Sequence, residues 1–266
     1  MKSCRIAILG ATGAVGRTML QVLEEQTDWP IGPVKLLASP RSAGQTLTFK
    51  GQPLIIEAVN EYSFADVDVV LGAVENELAK RWAPVIVKAG AVFVDNSSAF
   101  RLDPDVPLVI PQINPQDIRT HQGIIANPNC ATIIALMAVA PIYRLSRITR
   151  MIVSTYQAVS GAGAAGLAEL KRQITQLEAG QAASAETFPV QIAYNLIPQI
   201  GSFDEQGYSS EEMKLQNEGR KILHDPALRV SCTCVRVPVL RCHSESITLE
   251  TEREVSLDEV RQAIAE

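Results

Sequence analysis

"CRIAILGATGAVGRTMLQVLEE", residues 4–25, changes character twice. Residues 4–9 are a short apolar, β-like run, "GATGAVG" then sets Gly10, Gly13 and Gly16 three apart, and Met19, Leu20 and Leu23 recur at helical spacing. The order is strand, glycine turn, helix. Glycines there permit a tight turn and close backbone approach, so that the helix N-terminus can receive a pyrophosphate. The spacing departs from G-x-G-x-x-G, and such a turn can serve packing alone; the strand-to-helix context is what favours dinucleotide binding.

Further runs extend the pattern. "VKLLAS" (34–39), "VDVVLGAV" (67–74) and "AVFVDNSS" (91–98) resemble buried strands, with "ENELAKRWAPVIVKAG" as the helix between the last two. Alternating strands and helices predict an α/β fold with a Rossmann-type, doubly wound parallel sheet. From about residue 150 the texture becomes α+β. "MIVSTYQAVSGAG" reads as a strand entering a small-residue turn, followed by a helix that Gly180 ends. Ser209 and Glu212 have capping-box spacing, two strands break near Pro238, and Ser256 caps a last helix. The expected division is a cofactor-binding domain over residues 1–129 and a catalytic and dimerisation domain over 130–266.

The chain has 266 residues, 47% of them hydrophobic, enough to bury a substantial core. A net charge of −5 with no Lys/Arg block argues against nucleic-acid or anionic-membrane partners. The start is too short in apolar residues for a signal peptide and no stretch approaches a membrane span, so a cytoplasmic protein is expected. The five cysteines, at 4, 130, 232, 234 and 242, lack framework spacing and read as free thiols. Cys232, Cys234, Cys242 and His243 fit a zinc site poorly, so no metal is expected. Strand alternation puts Cys232, Cys234 and Arg236 on one face, with the two cysteines as packing residues.

Two segments carry chemistry. "NPNCATI" (127–133) sets Cys130 after turn formers and ahead of an apolar helix. Unpaired amides and the helix dipole there favour a thiolate; a small buried hydrophobe is the alternative. A cysteine nucleophile needs an acid/base partner, and of His121, His224 and His243 the last, between two β-like stretches among arginines, is the best candidate; a hydrogen-bonded sheet histidine is its alternative. Where an NAD-specific fold offers an acidic residue after the second strand, this chain offers Ser39, Arg41 and Ser42, which favours NADP over a merely solvated turn.

In order along the chain, "GATGAVG", "SSAFR", "NPNCATI", "TYQAVSGAG", "EEMK", "VRVPV" and "RCHSES" resemble the aspartate-semialdehyde dehydrogenases over residues 4 to about 255. The resemblance implies reduction of L-4-aspartyl phosphate with NADPH to L-aspartate 4-semialdehyde and phosphate through a cysteine thioester, on the route to lysine, threonine, methionine and diaminopimelate. It implies Cys130 as nucleophile, His243 as acid/base and Gln157 as the residue orienting substrate. Arg236 would grip the substrate carboxylate and Glu211 its ammonium group; Arg101, Lys214 and Asn129 would form the phosphate site. Gly10, Thr12, Gly13, Ala14, Val15, Ser160 and Gly161 would contact the cofactor, and a homodimer is implied. The family's chains usually continue further, so a truncated second domain, with impaired stability or cofactor affinity, is expected. Rival readings are a non-catalytic relative, or a sister enzyme such as N-acetyl-glutamyl-phosphate reductase or glyceraldehyde-3-phosphate dehydrogenase. The first must explain why Cys130, Gln157, Arg236 and His243 are all present. The sisters differ around the cysteine and match neither "EEMK" nor "VRVPVLRCHSES".

Overall fold

A computed structural model describes residues 3–265 and divides the chain into two compact units: Met1–Val109 with Pro115–Pro128, and Ile110–Asn114 with Asn129–Glu266. This differs from a single cut after residue 129 in two respects: Asn129 and the short segment Ile110–Asn114 go with the second unit. Among the described residues no helix is long and apolar enough to cross a membrane.

The first unit is the doubly wound half. Its elements are β1 (Cys4–Leu9), α1 (Ala14–Glu25), β2 (Ile31–Ala38), β3 (Thr46–Phe49), β4 (Gln52–Ala58), β5 (Val69–Gly72), α2 (Asn76–Lys88), β6 (Val92–Asp95) and β7 (Ile124–Ala126). The sheet order is β3-β4-β2-β1-β5-β6-β7, parallel except for the β3–β4 hairpin. Alternation along β1 explains how both faces are covered. Ile6 and Ile8 pack with Leu20 and Leu23 of α1, whereas Ala7 and Leu9 pack with Ala79, Trp82 and Ile86 of α2 on the other face. Each such Leu or Ile contributes roughly 1.5–3 kcal/mol by leaving water. The chain runs from β1 to β2 on one side and reaches β5 on the other, so the C-terminal end of β1 is the point where strand order reverses, and the glycine turn sits there.

The turn's conformation explains its glycines. Gly10 has φ of +90°, and a Cβ there would lie 2.3 Å from the Ala73 carbonyl oxygen. A Cβ on Gly16 would lie 2.3 Å from the Gly10 oxygen, whereas on Gly13 it would reach only 3.4 Å. First and third glycines are thus fixed by packing, and the middle one is not. The hairpin, which sequence reading did not anticipate, turns on Lys50 and Gly51, both with positive φ.

The second unit holds α3 (Cys130–Leu145), β8 (Ile148–Gln157), α4 (Gly163–Glu178), α5 (Ser210–Ile222), β9 (Arg229–Arg236), β10 (His243–Thr251) and α6 (Leu257–Ala265). Its sheet has the order β10-β8-β9, with β8 antiparallel to β10 and parallel to β9. Ser209 and Glu212 form the capping box their spacing predicts, which fixes the start of α5. Glu169 and Gln173 of α4 organise the long segment that follows it. The Glu169 carboxylate accepts from the Glu186 and Thr187 amides, and Gln173 Oε1 accepts from those of Ile192 and Ala193. At the far end Arg147 donates from Nε and Nη2 to Asp225 at 2.8 and 2.9 Å, holding that carboxyl down to about 2.

Candidate active site

Three segments distant in sequence meet in one row of the second sheet. His243 opens β10, Gln157 closes β8 and Arg236 closes β9; the register pairs His243 with Gln157 and Gln157 with Arg236. Opposed residues share a sheet face, and Gln157 and Arg236 are only 2% and 7% exposed.

Helix α3 brings the sulfur to this row. Cys130 is its first residue, and Asn129 caps it by accepting the Ala131 and Thr132 amides on Oδ1 at 2.9 and 3.2 Å. Cys130 Sγ lies 3.3 Å from His243 Nε2. The Ala158 amide donates to His243 Nδ1 at 3.0 Å, so the neutral ring carries its proton on Nε2, toward the sulfur. Burial lowers the His243 pKa, with Arg236 acting the same way against the Cys242 backbone and Glu211, and so favours the neutral ring. The other two histidines lie elsewhere: His121 Nδ1 accepts from the Gly123 amide in the first unit, and His224 follows α5 with positive φ. Cys130, exposed at the start of α3, and His243 thus stand as a neighbouring thiol and imidazole. Cys232 and Cys234 are buried with their sulfurs 3.5 Å apart, as packing residues on the face that alternation predicted.

Glu211 of α5 organises the remaining groups. Its Oε1 accepts from Asn129 Nδ2 at 2.9 Å and Gln157 Nε2 at 3.1 Å, and its Oε2 accepts from Lys214 Nζ at 2.9 Å. Burial alone would raise its pKa; the Lys214 ammonium and the two amides outweigh burial and hold the carboxyl below its ordinary value. Two turns farther along α5, Glu218 accepts the Asn129 backbone amide at 2.7 Å, so two carboxylates of one helix grip the residue before Cys130. Arg236 Nη1 donates to the Ala158 oxygen at 2.7 Å, and its other N–H groups make no hydrogen bond among the described residues. Asn129, Cys130, Gln157, Glu211, Lys214 and Arg236 line one cavity of about 260 Å³. It holds a nucleophile, a carboxylate and two cations, a set suited to a small substrate with charged ends and an acyl centre.

Sequence reading placed six of these residues but missed Thr155, Glu218 and Ala158, which act by hydrogen bonds to the others. Gly161, matched above to the cofactor, also lines this cavity, and a Cβ on it would lie 2.7 Å from Arg236 Nη1. Ser160 lies beside it in the 3-10 turn Val159–Ala162.

The other expected residues belong to the first unit. Helix α1 starts at Ala14 with Gly13 as N-cap and has no side-chain cap; Gly13, Ala14 and Val15 are exposed and Thr12 and Gly10 half-buried. Ser39 follows β2, and Arg41 and Ser42 form the 3-10 turn Pro40–Ser42. Arg101 is buried and donates from Nη2 to the Asn96 oxygen at 2.9 Å. Near it Asp95, fully buried, accepts from the Ser97 hydroxyl at 2.6 Å; burial raises its pKa against those hydrogen bonds.

Two family models match the chain: the semialdehyde dehydrogenase NAD-binding domain over residues 5–121 and the semialdehyde dehydrogenase dimerisation domain over 139–266. The aspartate-semialdehyde dehydrogenase of Aquifex aeolicus is 50% identical over 98% of this chain and 77% of its own length. That of Synechocystis is 49% identical with the same coverages. Among solved structures, aspartate semialdehyde dehydrogenase II of Vibrio cholerae, complexed with ASA, has a TM-score of 0.96 and 45% identity, covering 99% of this chain and 79% of that one. The Candida albicans enzyme with NADP has a TM-score of 0.74 and 25% identity, covering 98% and 76%.

Proposed function

The chain belongs to the aspartate-semialdehyde dehydrogenase family of phosphorylating, nicotinamide-dependent oxidoreductases, and from that premise we propose how its own residues perform the reaction. The substrate is L-4-aspartyl phosphate in the biosynthetic direction and L-aspartate 4-semialdehyde with phosphate in the reverse. The observation that carries this reading is the Cys130–His243 pair at 3.3 Å beside a cavity lined by Glu211, Lys214 and Arg236.

The Cys130 thiolate, held by the Nε2–H of His243 and the start of α3, attacks the acyl carbon; the carbon–oxygen bond to phosphate breaks and a thioester remains. NADPH, when bound, supplies the hydride that reduces this thioester. His243, as acid/base, lends its Nε2 proton to the oxygen that becomes anionic on hydride addition and keeps it when the carbonyl re-forms and the carbon–sulfur bond breaks, so that Cys130 leaves as thiolate and aldehyde is released; the reverse direction retraces these steps. Arg236 presents a planar fork to the substrate carboxylate, and Glu211, already ionised, receives its ammonium group. Lys214 spends one of three donors on Glu211, leaving two for the phosphoryl oxygens; Asn129 and Arg101 complete the phosphate site. Asn129 contributes through position, since its amide is committed to the cap and to Glu211.

The first unit fits a dinucleotide: α1 starts without a side-chain cap behind a turn too tight for side chains at Gly10 and Gly16. Gly10 and Thr12 to Val15 would hold the pyrophosphate, and Ser39, Arg41 and Ser42 the extra phosphate of NADP, with Ser160 and Gly161 contacting the nicotinamide end. Residues 130–266 would form the dimer interface of a cytoplasmic homodimer.

The test follows nicotinamide absorbance with L-aspartate 4-semialdehyde, phosphate and NADP. NADPH should form with the wild-type chain and fall at least about a thousandfold in Cys130→Ala, as expected when a covalent nucleophile is removed. Equal turnover in Cys130→Ala, or preference for N-acetyl-glutamate semialdehyde, would overturn the proposal. NAD replacing NADP without loss would remove the role of Arg41.

A further inference from the structure

We infer that Thr155 is a positioning residue for this reaction: its hydroxyl, donated to Gln157 Oε1, holds the Gln157 amide so that Nε2–H faces the cavity beside Cys130. The inference rests on the proposed reaction and adds Thr155, the first residue of "TYQAVSGAG", to which the resemblance gives no role.

Thr155 and Gln157 are two apart on β8 and so lie on the same face. Thr155 is fully buried, and its Oγ1 lies 2.9 Å from Gln157 Oε1. Its cross-strand neighbours are Glu245 and Cys234. The Glu245 carboxyl oxygens are buried with no hydrogen bond among the described residues, so the Thr155 hydroxyl goes to Gln157 and not across the sheet.

The Gln157 amide is then held at both ends. Its nitrogen faces the Glu211 carboxylate, which can only accept, and its oxygen accepts the Thr155 hydroxyl. One Nε2–H is used on Glu211 and the second remains for the cavity that Gln157 and Cys130 both line. A donor fixed beside the acyl centre stabilises the oxyanion that forms when sulfur or hydride adds.

The two anchors are not equivalent during turnover. When the substrate ammonium group occupies Glu211, it competes with Gln157 for the same carboxylate. The Thr155 bond alone then keeps the amide plane, so its loss should appear after binding, in kcat.

The experiment compares Thr155→Val, Thr155→Ser, Gln157→Leu and the double variant T155V/Q157L by steady-state kinetics and melting temperature. T155V should lower kcat by about five- to twentyfold and change KM by less than about twofold, as expected for one lost orienting hydrogen bond. T155S should recover most of the loss, and T155V should cost nothing further in the Q157L background. T155A, which lacks the hydroxyl with no added bulk, should show the T155V loss if T155V does not fold. A T155V or T155A enzyme with wild-type kcat, or a loss that persists in full when Gln157 is already Leu, overturns the inference. An inactive wild-type chain refutes the reaction instead, and the inference falls with it.

Discussion

Glu245 lies two residues along β10 from His243, opposite Thr155, and nothing among the described residues hydrogen-bonds its carboxyl oxygens. Burial pushes its pKa up to about 7. Because the folded value lies above the unfolded one, near 4.3, the folded chain binds the extra proton between them. Glu245 is therefore neutral and harmless below about pH 4, and its cost to stability grows as pH rises and is complete above about 7. Glu245→Gln should raise the melting temperature at pH 8 by roughly 1–4 °C and change it little at pH 5. Calorimetry at the two pH values checks this; an equal effect at both would mean that ionisation is not the cause. This residue also marks what the sequence could not reveal. Cys130, His243 and Arg236 are recognisable because their chemistry is rare and their motifs are local. Glu245 and Glu218 matter through neighbours set by strand register and by the face α5 presents, which no local spacing encodes, and Thr155, two residues from Gln157 on one strand face, carries a hydroxyl too common to single out.

At the scale of elements, legibility followed periodicity. β1, α1, β5, α2 and α5 carry long apolar runs or capping signals, and the structure places them where those signals lie. β3 and β4 were missed because "TLTF" is short and half polar, the consecutive apolar residues of "QPLIIEA" break strand alternation, Pro53 interrupts it, and Lys50–Gly51 is an uncommon form of the hairpin turn. β7 has three residues, too few for any pattern. The glycine turn shows how one motif divides between packing and binding. Gly16→Ala would drive a Cβ to 2.3 Å from the Gly10 oxygen and should destabilise the chain by about 2 kcal/mol or more. Gly13→Ala meets nothing closer than 3.4 Å at a φ of −70° and should leave stability within roughly 0.5 kcal/mol. It should nevertheless weaken binding of the nicotinamide cofactor, since the added methyl would stand where the proposed pyrophosphate contact approaches the amides of α1. Urea titration with NADP binding measured on both variants makes the comparison; unchanged affinity in Gly13→Ala would put the pyrophosphate elsewhere.

For the whole molecule, the informative feature is the path of the chain between the two compact units. A composition change near residue 130 suggests one crossing, but Ile110–Asn114 belongs to the second unit while Pro115–Pro128 returns to the first, so the chain changes units three times. Sequence reading could not find this excursion: "IPQIN" is too short for a periodic signal, and its apolar residues resemble the end of the preceding run. Its internal structure explains why it holds its shape. The Ile110 amide donates to Asn114 Oδ1 at 2.9 Å, the Ile113 and Asn114 amides return to the Ile110 oxygen, and Ile110 and Asn114 are 2% and 1% exposed. Ile110→Ala removes three carbons from such a site and should cost about 2–4 kcal/mol. The loss should appear where the partition puts it: amide exchange should accelerate in β8, β9 and α5, although Ile110 is flanked in sequence by first-unit residues. Acceleration confined to β1, β5 and β6 would assign the segment to the first unit, and would restore a single boundary near residue 129.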